Sequence, residues 1–118
     1  MTAVKKKGQQ TLIFADPPYI VSGASIVGPK EGEGPWKDDF DQIMPDYLLG
    51  ETSWEKAESK MLRDTIRLAL HKMELMPEDA ELLLAGDLLN QIISSSYAAR
   101  EIAIPFLGLY GACSTMAE

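Results

Sequence analysis

The stretch FLGLYGACSTMAE, Phe106 to Glu118, decides how the chain is read. Phe106 to Tyr110 is apolar apart from Gly108 and follows Pro105, so it reads as a strand set off from whatever precedes the proline. Gly111-Ala112-Cys113 then turns on small residues, as a strand does when it hands over to a helix. A cysteine at such a helix start meets the partial positive charge of free amides, the setting in which thiols become reactive. A buried, inert thiol fits the same residues, because free cysteines are commonly packed away.

Working outward from that stretch, Leu88 to Ala103 reads as a helix ended by Pro105, with Asn90, Gln91 and Ser94 to Ser96 early and Arg100-Glu101 late. Glu81 to Ala85 is a short strand, and the Gly86-Asp87-Leu88 turn after it is the kind of place where α/β folds bind ligands. Before it lies the clearest helix, from Thr52. Thr52-Ser53-Trp54-Glu55 forms a capping box, and Trp54, Ala57, Met61, Leu62, Ile66, Ala69, Leu70 and Met73 recur at helical spacing. That helix is expected to pack as a crossover on the Glu81–Ala85 strand. Lys60, Arg63, Asp64, Arg67 and His71 fall on its other side, so the chain's one histidine is a surface residue rather than a general base.

The N-terminal third is less regular. Thr11 to Phe14 reads as an edge strand stopped by Pro17-Pro18, and Tyr19 to Val27 as a second, mostly buried strand. Gly28 to Asp46 is rich in glycine, proline and carboxylates, which predicts a loop with at most a helical turn around Phe40 to Ile43. It holds neither a P-loop nor a calcium-loop pattern and reads as a solvated acidic loop. Together the elements predict an α/β fold in which Cys113 opens a third helix.

Composition narrows the function. A formal charge of −7 over 118 residues opposes nucleic-acid binding, which needs clustered cations, and the Lys5-Lys6-Lys7 run reads as a solvated arm. One cysteine forms no internal disulfide, and no Cys/His spacing suggests zinc, so neither a metal nor a cofactor is expected. No apolar run reaches membrane-spanning length and no signal-peptide core is present, which points to synthesis in the cytoplasm.

The run AGDLLNQIISSSYAAREIAIPFLGLYGACSTMAE, Ala85 to Glu118, resembles the thiolase and ketoacyl synthase fold, in which a reactive cysteine follows a buried strand and opens a central helix. SGASIVGPKEGEGP, SWEKAESKML, AGDLLNQIISSS and GLYGACSTMAE resemble, more closely, the stage V sporulation protein AD family of thiolase-like proteins. The resemblance implies that residues 1–118 are an incomplete N-terminal half of a thiolase-like domain, cut at the start of the cysteine-bearing helix. It implies a sporulation protein that binds dipicolinic acid for transport into the developing spore and release at germination; because dipicolinate is a dianion and the chain is acidic, uptake as the charge-compensated calcium chelate is the further expectation. The partners implied are other stage V sporulation A proteins at the spore inner membrane, joined peripherally, and a second copy in a homodimer.

On that reading Cys113, Ser114, Asp87 and Asn90 contact the ligand and no residue is catalytic. The alternative is an acyltransferase with Cys113 as nucleophile. Ser114, Thr115 and Met116 follow the cysteine where condensing enzymes carry small residues, which favours a binder of a small polar ligand. A third expectation is that the chain alone is inactive, with apolar sheet surface left uncovered.

Overall fold

The computed structural model describes residues 4–89 and 91–117. Val4–Lys7 (β1) and Thr11–Phe14 (β2) pair antiparallel through a turn in which Gly8 takes φ +67°. The lysine run is thus a strand rather than a free arm. It stays solvated, since Lys5 to Lys7 are exposed.

The expected strand Tyr19–Val27 shrinks to Ile26–Val27 (β3), and Ile20 is 96% exposed. Pro17 and Pro18 lack ladder donors, and among the described residues this stretch pairs only through β3, parallel to Gln42–Ile43 (β4). The segment is anchored instead by Ser22, whose hydroxyl donates to the carbonyl of Ala69 at 2.8 Å. In the acidic loop the helical turns fall at Glu31–Glu33 and Lys37–Asp39, and β4 stands where a turn around Phe40 to Ile43 was expected.

Helix α1 spans Trp54–His71. Its cap is Ser53 rather than Thr52: Ser53 has the extended backbone a cap needs, and its hydroxyl accepts the Lys56 N–H at 3.3 Å. The box from Thr52 to Glu55 does not form, and Thr52 Oγ1 instead accepts from Lys56 Nζ at 3.1 Å. Of the expected apolar face only Ala57 is buried, while Trp54 and Met73 are exposed.

After Pro77–Asp79, a 3-10 turn, come Leu83–Ala85 (β5), Ile93–Ile102 (α2) and Phe106–Gly108 (β6). β5 and β6 pair in parallel with Ala85 opposite Gly108, so β5, α2 and β6 form a β-α-β unit. The predicted helix from Leu88 begins only at Ile93, because Leu88, Leu89, Gln91 and Ile92 are held outside it by the bonds given below. It ends where Ala103 turns left-handed at φ 63°, two residues before Pro105. α1 packs chiefly on α2 rather than across β5 as expected.

The core is small and built of small side chains: Ala57, Ala98 and Ala99 with Ile102 and Ile104, and Ser94 and Ser95 wholly inside. Ser94, Ser95, Ala98, Ala99 and Ile102 share one face of α2 at helical spacing, and short side chains let its backbone approach its neighbours closely. The described strands form three two-stranded sheets instead of one layer. The radius of gyration, 16.2 Å, exceeds the roughly 13.5 Å of a compact domain this long. Leu84 and Leu107, paired across β5 and β6, are 54% and 56% exposed on a face that parallel sheets usually cover.

Candidate functional site

Parallel pairing brings the carboxyl ends of β5 and β6 side by side, and the Leu109 N–H closes onto the Ala85 carbonyl at 2.9 Å. The two chains then diverge and leave a cleft of about 440 Å3 between them. One wall is Asp87, Leu88, Leu89, Gln91 and Ile92; the other is Leu109 to Ala112. The strand ends of an α/β unit place backbone and loop side chains where a ligand can be met on two sides.

Two carboxylates shape the first wall. Asp87 accepts the Ile92 N–H at 2.9 Å, the Ser95 N–H at 2.8 Å and the Ser95 hydroxyl at 2.9 Å, so it caps α2 from six residues before the helix. Glu58 of α1 accepts the Leu88 N–H at 2.7 Å and the Leu89 N–H at 3.3 Å. Pinned from both sides, the loop holds Gln91 at φ 46° and Ile92 at φ 64°, a left-handed conformation that strains a β-branched residue. These bonds also explain the late start of α2, since the Asp87 carboxylate reaches the Ile92 and Ser95 amides only when Leu88 and Leu89 stay out of the helix.

Cys113 lies one residue past the second wall. It is exposed, which contradicts the buried-thiol reading. The helix expected to open there is a 3-10 turn, Ala112–Ala117, entered through Ala112 at φ 45°. Ser114 folds back on this turn: both its amide and its hydroxyl donate to the Gly111 carbonyl at 2.9 Å. Asp87 stands on the cleft with both oxygens engaged by the chain, and Asn90 lies outside the described residues. The sequence places the ligand near the stretch from Gly86-Asp87 to Ser96, which holds Gln91 and Ile92, but gives neither Glu58 nor the backbone from Leu109 to Ala112. The one signal for Glu58 was chemical, the need of a glycine-led turn for acceptors to take its amides.

A second cavity, about 520 Å3, separates α1 from α2. Its cations are committed within the protein: Lys60 donates to the Leu49 carbonyl at 2.6 Å, and Arg63 binds Asp64 at 2.9 Å and Glu101 at 2.7 Å. Asp64, then Glu101, hold the Arg63 guanidinium more firmly charged than usual. The strand-end cleft therefore remains the better candidate. No helix of the described residues is long and apolar enough to cross a membrane, and no three of their His, Cys, Asp and Glu side chains cluster as a metal site.

A family model described as stage V sporulation protein AD (SpoVAD) matches residues 8–118. The stage V sporulation protein AD of Bacillus subtilis (strain 168) is 43% identical over 115 residues, which cover 98% of this chain and 34% of that protein. The chain thus spans about a third of the length of that curated relative. The match runs through the acidic loop, both helices and the cleft, so the chain belongs to the stage V sporulation protein AD family.

Proposed function

We propose that this chain forms part of a dipicolinate-binding protein of spore formation, with the ligand entering the cleft at the carboxyl ends of β5 and β6. The observation that carries the reading is that cleft itself, about 440 Å3, within the range of small-molecule sites, in a chain of this sporulation family. Cys113 and Ser114 beside it, with Asp87 and Asn90, are the proposed contacts. Asp87 acts mainly by shaping the wall, because its oxygens already serve Ile92 and Ser95.

Dipicolinate is a dianion and the chain carries −7, so we take the bound species to be the calcium chelate, in which the cation offsets the charge. The β5-α2-β6 unit ending at a cysteine is what supports a thiolase-like arrangement, of which residues 1–118 are the first part. The uncovered Leu84 and Leu107 suit further protein over the sheet, whether from a second copy or from the other stage V sporulation A proteins through which the chain would reach the spore inner membrane.

Calorimetric titration of the full-length protein with dipicolinate, with and without calcium, tests this. Binding that strengthens with calcium is expected. Equal or stronger binding without calcium removes the chelate, and no binding under either condition removes the reading. The exposed Cys113 sulfur favours one other function, acyl transfer. A thioester on Cys113 after incubation with acyl-CoA, seen by mass spectrometry, would establish it.

A further inference from the structure

β5 meets the Cys113 turn at one close point. A side chain begun at Gly86 would press on the Leu109 carbonyl oxygen and would lie 2.7 Å from Thr115 Oγ1 and 2.9 Å from Thr115 Cγ2. Thr115 therefore fills the space above Gly86 that any other residue there would take. It sits two residues beyond Cys113 on the same 3-10 turn, Ala112–Ala117. Its hydroxyl is buried in that contact and has no hydrogen-bond partner among the described residues. What Thr115 contributes at Gly86 is thus shape, since a polar contact would have used the oxygen.

We propose that Thr115, seated on the bare backbone of Gly86, is a positioning residue that fixes Cys113 at the mouth of the cleft. This deepens the reading of the cleft given above and rests on it for the ligand that Cys113 would meet. The glycine is required by close approach, and the threonine by its branched outline rather than its hydroxyl. Valine, which has that outline, should replace it without loss. Alanine leaves a gap under the turn, and alanine at position 86 pushes the turn off the strand.

The test is the rate at which iodoacetamide alkylates Cys113, followed by mass spectrometry in the chain without ligand. Cys113 is the only cysteine, so one product forms. With the turn released, Thr115→Ala should alkylate at least about fivefold faster than the parent, and Thr115→Val should stay within about twofold. Gly86→Ala should resemble Thr115→Ala; should it fail to fold, the two Thr115 variants still decide. The thermal midpoint is read alongside, and the rescue by valine is what a general loss of stability would not reproduce at an unchanged midpoint. Parent-like alkylation of Thr115→Ala, or equal acceleration in Thr115→Val, overturns the proposal. Failure of the protein to bind dipicolinate while these rates hold would refute the functional reading and leave the positioning role standing.

Discussion

Replacing Asp87 by alanine should cost a large part of the chain's stability, although Asp87 lies on the rim of a cleft and outside any helix or strand. The carboxylate accepts three hydrogen bonds, from the Ile92 amide at 2.9 Å, the Ser95 amide at 2.8 Å and the Ser95 hydroxyl at 2.9 Å. Losing the helix cap at Ser95 costs about 1 kcal/mol. Losing the acceptor of the part-buried Ile92 amide costs about another 1 kcal/mol. Ser95 is wholly buried, so its hydroxyl cannot turn to water and stays unsatisfied at about 1–3 kcal/mol. The sum is about 3–5 kcal/mol, against the roughly 5–15 kcal/mol that holds an ordinary domain folded.

Asp87→Asn keeps one acceptor oxygen and should cost about 1–2 kcal/mol. Urea unfolding followed by circular dichroism reads both, as a fall in midpoint at unchanged slope. An alanine variant less than about 0.5 kcal/mol below the parent would refute the reasoning, because effects of that size are ordinary for surface positions. Loss of dipicolinate binding in Asp87→Asn with stability intact would show Asp87 to be a ligand contact instead of a wall-former.

Two further outcomes follow from the ion pairs. Arg63 joins α1 to Glu101 of α2 with the partner half exposed, so Glu101→Gln should lower stability by no more than about 1 kcal/mol, with a smaller loss in high salt; thermal melts at two salt concentrations check this. Asp41 is held below the ordinary carboxylate range, first by its hydrogen bond from Lys72 and then by the Ser25 amide. A depressed folded value means stability that is complete above the unfolded value of about 3.9 and lost as pH falls through the folded one. Acid titration of Asp41→Asn should therefore lack part of the parent's loss below that pH, and an unchanged acid limb would contradict the assignment.

The parts legible in the sequence were those that local pattern decides by itself. Helix α1 shows its apolar spacing, and β5 and β6 their short apolar runs between glycine and proline. What escaped reading depends on contacts distant in the chain. Tyr19 to Val21 has strand composition, but composition supplies no partner strand, and Ile20 stays 96% exposed. Leu88 to Ile92 has helix composition, but Asp87 and, from α1, Glu58 draw its amides into a loop. At the site, Cys113 and the glycine-led turn after β5 were visible as types of residue at a strand end. The pinning by Glu58 and the seat of Thr115 on Gly86 were not, because each joins elements about thirty residues apart.

The cleft can be tested by amide chemical-shift mapping of the isotope-labelled chain titrated with dipicolinate in the presence of calcium. Shifts are expected at residues 87–92 and 109–114 while the α1–α2 groove around Lys56 and Tyr97 stays unmoved. Shifts confined to that groove, or none at saturating ligand, would contradict it.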